Sequence, residues 1–396
     1  MRQANIKLLT AAVATLMACA SCVSDDTDFS DIIGATPSYT LRDISFDYTP
    51  LTEEETVPSD DNDYYENATL KRTVYITFSQ DTATIETSAK GITSTVRGAH
   101  VTICATKSGF HYVLTGQTTD GGLKIYSEKK FMLTLSGVDI SNPNGAAINN
   151  QCGKRMYLHL ADGTTNQLAD GTSYTTTEGE DEKGALFSEG QIIVSGSGAL
   201  TVLGNGKNGI ATDDYLVLRP GTVVNVTANQ KACLKANDGI FIRGGVLNLE
   251  STADGGKALN SEASISISGG RLTAIASGST LVSGTDTTGV ACLKADSTFT
   301  LTAGQVLLKT TGDGGKGLHA KTGFSITGGS LLIEAFGTSS LAQAKGIKTS
   351  SVASFLGGSS YIYSKSSAPI DADGGINMGE ALTATYTDDG RLVEIE

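Results

Sequence analysis

The chain has 396 residues, with 47 glycines, 6 prolines, no tryptophan and a formal net charge of −13. That composition suits a large β-rich body and excludes a disordered chain, and the acidic balance excludes the basic surface that nucleic acid requires. The charge is uneven: residues 23–70 hold 13 acids and one base, Arg42, whereas residues 71–396 hold 29 acids and 26 bases, a net of 26 − 29 = −3.

Residues 1–18 read as a secretion signal, with Arg2 and Lys7 ahead of an apolar run from Leu8 to Ala18. Leu16-Met17-Ala18-Cys19 resembles a bacterial lipobox, which makes Cys19 the expected lipidation site. Ser24-Asp25-Asp26 resembles the acidic export tag of Bacteroidetes surface lipoproteins. Together they imply a lipid-anchored protein at the outer membrane or cell surface, held by an acyl chain rather than a spanning segment. Residues 19–70 are rich in Asp, Glu, Ser and Thr, and like charges with little apolar surface predict a flexible, extended linker. Asp60-Asp61-Asn62-Asp63 lacks the glycine and closing glutamate of an EF-hand loop and reads as a solvated charge run.

From residue 71 the chain turns to strand. Val74–Phe78, Val101–Cys104, Tyr112–Thr115, Leu123–Tyr126, Leu133–Ser136 and Tyr157–Leu160 alternate with period two. They are expected as irregular first coils and an N-terminal cap, because the open end of an array must be closed. A repeat follows, beginning at Lys183, Lys207, Lys231, Lys257, Val290, Lys316 and Lys345, with spacings of 24, 24, 26, 33, 26 and 29 residues. Each copy holds short alternating runs joined by a glycine pair, such as Gly244-Gly245, Gly269-Gly270, Gly328-Gly329 and Gly357-Gly358. A fixed period of strands without a 3.6-residue stripe predicts an all-β, right-handed parallel β-helix over residues 71–371. Inward positions are Ile240, Ile242, Leu247 and Leu249 in one coil, then Ile265, Ile267, Leu272 and Ala274. Phe299, Leu301, Val306 and Leu308 follow, then Phe324, Ile326, Leu331 and Ile333. Cys233 and Cys292 fall two coils apart and read as small buried hydrophobes; pairing of Cys104 with Cys152 is left open. Residues 278–289 are an insertion, expected on the binding side. Residues 372–396 predict a β-hairpin cap turning at Asp389-Gly390.

Stacking turns sequence columns into surface ladders. Three residues past each buried aliphatic lie Glu189, Asp213, Asn237, Glu262 and Asp296, then Lys321 and Ser350, with Asp214 and Asp238 beside them. Carboxylates about 5 Å apart repel, and calcium bound by these oxygens would relieve the repulsion; the alternative is that they cap turns. One residue past the aliphatic lie Lys235, Asn260, Lys294, His319 and Lys348, and a further column is the opening lysines. These rows either pair with the acids or form a strip that holds an anionic polymer, one charge per coil. Tyr215 adds a ring suited to a sugar. The four histidines are scattered and no zinc spacing appears, so no catalytic residues are assigned.

Lys207–Arg219, the Ile-Ser-Gly-Gly and Ile-Thr-Gly-Gly turns, Ala146–Gln151, Ala161–Asn166 and Phe187–Gly190 together resemble the bacterial carbohydrate-binding β-helix proteins, over roughly residues 73–370. The resemblance implies a β-helix related to pectate lyases, bound calcium, affinity for plant polysaccharides such as cellulose and polygalacturonate, and no established lyase activity. Two departures stand out: Asn208 replaces an expected His or Asp, and the acidic column ends after Asp296. The expected function is non-catalytic binding of an extended, acidic plant-type polysaccharide by a calcium-containing β-helix. Its rivals are a calcium-dependent pectate lyase, with Lys235 beside Asp213-Asp214, and a stalk or adhesin that contacts partner proteins at the cell surface.

Overall fold

Period-two runs interrupted by glycine wind into a parallel solenoid when each run can hydrogen-bond to the same run one repeat later. The computed structural model describes residues 40–379 and 382–386; the expected signal, Cys19, the Ser24-Asp25-Asp26 tag and the turn at Asp389-Gly390 lie outside them. It is an all-β parallel β-helix of about 11 coils. The first strands of the coils stack into one sheet, from Ala99–Ala105 through Gly184–Ser188, Ala232–Ala236, Lys257–Ser261, Ala291–Ala295 and Lys316–Ala320 to Ile370–Ala372. The second and third strands form a second, bent sheet. They are separate in Ile192–Gly196 and Ala199–Gly204, and fused into one bent strand in Ile265–Ala276, Thr298–Thr310, Gly323–Ala335 and Ala353–Ser364. No helix among the described residues is long and apolar enough to cross a membrane.

The bend between second and third strands is the glycine corner. Gly270 and Gly329 both have φ +78, and a Cβ there would lie 2.6 Å from Gly245 O and 2.7 Å from Gly304 O, so a side chain is excluded by both backbone angle and neighbouring coil. Inside, every inward residue named above is buried. Phe299, Phe324 and Phe355 from three successive coils form a ring column with centroids 5.5 and 5.1 Å apart. Cys233 and Cys292 are buried, and these two, Cys104 and Cys152 are all free thiols.

The two ends are built differently. At the N-terminal end, Arg72–Ser79 pairs antiparallel with Thr82–Glu86, and Ile92–Arg97 antiparallel with Ala99–Ala105, so two hairpins begin the solenoid. At the other end, Ile370–Ala372, Ile376–Met378 and Leu382–Tyr386 all run parallel to the preceding coil. In the described part of the expected cap the strands continue the coils, with Ile370, Ala372, Ile376 and Met378 extending the apolar lining, and the turn and second arm of the expected hairpin lie outside the described residues.

The acidic segment departs from expectation. Its described part, residues 40–70, forms no strand and ends in turns and a 3-10 helix at Tyr65–Asn67; it lies along the bent sheet, and acid–arginine contacts fix it there. Asp47 meets Arg271 at 3.0 Å, and Glu55 and Glu66 both meet Arg219 at 2.9 Å. Asp63 meets Arg243 at 2.7 Å, and Glu53 accepts the Gly270 N–H at 3.0 Å. Counting charge within the segment overlooked the bases spaced along the coils behind it.

Candidate functional site

The outward side chains of the first-strand sheet make the most heavily charged face. Register places Lys235, Asn260, Lys294, His319 and Lys348 in one column on five successive coils. The acidic column is equally real: the N–H of Asp213, Asn237, Glu262, Asp296 and Lys321 each donates to the coil before, at 3.0 to 3.3 Å. The two columns largely neutralise each other. Lys235 pairs with Glu262 and donates to Asn237 at 3.0 Å; Lys294 and Lys321 meet Asp296 at 2.8 and 2.9 Å; Lys348 meets Asp373 at 2.9 Å.

The opening lysines do not form one column. Lys257, Lys316 and Lys345 stand in register with Ala232 and Ala291, while Lys183, Lys207 and Lys231 sit one residue earlier in their coils. The first three copies carry one more residue between the lysine and the buried aliphatic, as in Lys231-Ala-Cys-Leu234 against Lys257-Ala-Leu259. Within the second column Lys345 meets Asp371 at 3.6 Å, whereas Lys257 and Lys316 turn to backbone oxygens. Lys257 Nζ donates to Gly255 O at 2.6 Å and Lys316 Nζ to Gly314 O at 3.3 Å, and among the described residues neither has a carboxylate at ion-pair distance.

These two lysines line a trough. A cavity of about 400 Å³ is walled by Lys257, Lys294, Lys316 and His319. A second, of about 480 Å³, is walled by Lys183, Lys207, Lys231, Lys235 and Lys257. The insertion forms a hairpin, Leu281–Ser283 against Asp286–Thr288, and Thr288 borders both cavities. Asp254, Ser279 and Asp313 anchor its base: Asp254 accepts the Ser279 N–H at 2.8 Å, and Asp313 O accepts the Thr280 N–H at 2.8 Å. The insertion thus lies on the charged side, as expected of a solenoid loop.

Crowded, half-buried cations lose protons easily. Burial, with Lys294 nearby, lowers the Lys257 ammonium to about 8. Burial and Lys345 lower Lys316, and burial lowers Lys207. His319 drops to about 4 through burial and its lysine neighbours, so at neutral pH it is an uncharged hydrogen-bonding group rather than the cation its column suggested. Cations placed together without local anions bind a polyanion, which supplies the missing charge.

The remaining expected site residues are dispersed. Tyr215 lies on the other sheet, its hydroxyl donating to Asp63 at 2.6 Å, so it takes no part in the trough. Asp214 accepts from Gln191 and from the Tyr215 N–H at 2.9 Å, in the manner of a turn residue, and Asp238 is exposed. Of the seven expected metal ligands, Glu189 and Asp213 join Asp181 in a group whose ligand oxygens lie within 4.8 Å of one another. Burial and the other two acids raise the pKa of Glu189. Lys183 bridges Asp181 and Asp213, at 2.7 Å each. Asp181 escaped sequence reasoning because it belongs to the charged loop before the coil rather than to the column.

Comparison with known proteins adds three likenesses. A family model described as carbohydrate-binding domain-containing protein matches residues 97–390. A carbohydrate-binding domain-containing protein of Acetivibrio thermocellus is 34% identical over 122 residues, which is 30% of this chain and 42% of that relative. A solved polysaccharide lyase-like protein from C. thermocellum covers 78% of this chain and 97% of its own, at 21% identity and a TM-score of 0.40.

Proposed function

Because the chain belongs to the carbohydrate-binding domain-containing family, we propose that its trough binds an extended anionic polysaccharide, a uronate polymer of plant type, without cleaving it. The observation that carries this reading is the pair Lys257 and Lys316, two half-buried ammoniums facing one cavity without carboxylate partners among the described residues. Coils about 4.8 Å apart offer a charge at nearly every step, which suits a polymer with one carboxylate per residue running along the axis beneath the 281–288 hairpin. Lys235, Lys294 and Lys348 set the rim, where the polymer competes with Glu262, Asp296 and Asp373. His319 contributes a neutral hydrogen bond.

Calcium belongs to the proposal at Asp181, Glu189 and Asp213. Their hard oxygen donors suit that ion, and it would relieve the repulsion raising Glu189. Lipidation at Cys19 and display at the outer membrane complete it; replacing Cys19 with serine should move the protein from membrane to soluble fractions.

The test is calorimetry with oligogalacturonate and with an uncharged oligosaccharide of equal length, in calcium and in chelator. Binding of the acidic sugar alone, lost in Lys257→Met/Lys316→Met with melting unchanged, supports the reading. Unsaturated uronide absorbance in the same cell would make the protein a lyase. Binding to neither sugar would leave a stalk or adhesin.

A further inference from the structure

The bent sheet carries a second surface of a different kind. Three outward columns run side by side across its second strands. The middle one is apolar: Met132, Tyr157, Ile193, Val217 and Phe241 occupy successive coils. On one side stand Lys130, Arg155, Gln191 and Tyr215; on the other His159, Ser195, Arg219 and Arg243. A face of rings and arginines is unusual for a solvated solenoid wall, and it is not solvated. Met132, Tyr157, Ile193 and Val217 are buried under Tyr65, Ala68 and Leu70 of the acidic segment.

That segment occupies the face as a ligand would. Residues 40–64 form no strand and add no ladder to the sheet. Glu55 and Glu66 grip the two edges of the Arg219 guanidinium, with contacts of 2.9 and 3.0 Å from each carboxylate. Asp63 takes Arg243 at 2.7 Å, Arg155 at 3.2 Å and the Tyr215 hydroxyl at 2.6 Å. The Tyr64 ring lies 4.2 Å over Arg219. A polyanionic segment thus already lies on this wall, turning at residues 58–64 and through a 3-10 helix at Tyr65–Asn67, and held by paired guanidinium–carboxylate contacts and flat apolar packing.

We propose that this arginine–tyrosine face is a second binding site for a uronate polysaccharide, closed in cis by residues 40–67. The face offers both things an acidic sugar needs. Its arginine forks match carboxylates bidentately, and its rings present flat apolar surfaces to the sugar's C–H faces, which the trough lacks. The ligand class rests on the function proposed above; the existence of the site does not. Neutralising the strap acids leaves buried guanidiniums without partners, an arrangement that favours release of the strap and entry of another anion.

The experiment compares the full chain with Glu55→Gln/Asp63→Asn/Glu66→Gln by calorimetry against oligogalacturonate. The variant is expected to take up additional ligand. That gain should persist when Lys257→Met and Lys316→Met are added, and a peptide of residues 40–67 should abolish it. Circular dichroism and melting establish folding; if the triple variant fails to fold, Glu66→Gln alone is read in the same way. Unchanged stoichiometry in a folded variant overturns the proposal, as does equal uptake of polyglutamate, which would mark a face for any polyanion. Failure of the trough reading is seen separately, as a wild-type chain that binds nothing while the variant still gains ligand.

Discussion

Lys257 gives the trough a measurable pH dependence. Its folded pKa of about 8 lies below the ordinary lysine value because burial and neighbouring cations disfavour the ammonium. The charged form therefore dominates below about pH 8 and is lost above it, so affinity for a polyanion should fall as pH rises through that value. A charge-assisted hydrogen bond contributes roughly 1.5 kcal/mol at the lower end of its range, and about 1.4 kcal/mol is tenfold in affinity. Raising the pH from about 7 to about 9.5 should then weaken oligogalacturonate binding about tenfold through this residue alone. Bound anion favours the ammonium, so the midpoint in the complex moves above that of the free protein. Calorimetry at fixed ionic strength reads the effect, since salt screens it. Lys257→Met should bind weakly at both ends and lose the step, and Lys257→Arg, charged throughout, should bind tightly at both. A wild-type affinity that stays flat across this range, or a methionine variant with the full step, would refute the assignment of Lys257 to the ligand.

Three further outcomes follow from the fold. Phe324→Ala opens a hole between the Phe299 and Phe355 rings and should cost about 3–5 kcal/mol in a denaturant titration. Gly329→Ala places a Cβ 2.7 Å from Gly304 O at φ +78; the backbone angle alone costs roughly 1–2 kcal/mol, so a clear drop in melting temperature is expected. Replacing the 281–288 hairpin with a short glycine–serine joint should weaken ligand binding several-fold with little change in melting, because the coils on either side pair directly with each other. A large melting shift would show the hairpin to be structural instead.

The repeat made the fold legible because a β-helix is nearly one-dimensional: registering one buried aliphatic per coil fixes the neighbours of every other position. Hence Lys235, Lys294, His319 and Lys348 fell into one column, and Ile265 or Phe299 pointed inward, as read from spacing. What was illegible lay off the ladder. The one-residue slip between Lys231 and Lys257 puts the opening lysines in two columns, yet both copies begin with the same letter. Tyr215 shares a coil with Asp213 but faces another wall, since a corner lies between them. His319 kept its column and lost its charge, because burial and adjacent lysines act through space. Composition misled most at residues 40–70, where acids that looked self-repelling answer arginines 92 to 224 positions later.

The strap also sets which end of the molecule is held. Arg42 sits beside Glu334 and Tyr361, near the final coils, and the segment then runs back to Arg72 at the antiparallel hairpins. Leu382–Tyr386 pairs in that same late region. The described chain therefore enters and leaves at one pole. Anything joined ahead of Thr40 would grip the rod by its late coils, leaving the hairpin pole outermost. A pull applied at Thr40 would load the strap's contacts with Arg271, Arg219 and Arg243 before it loaded the coils beneath them.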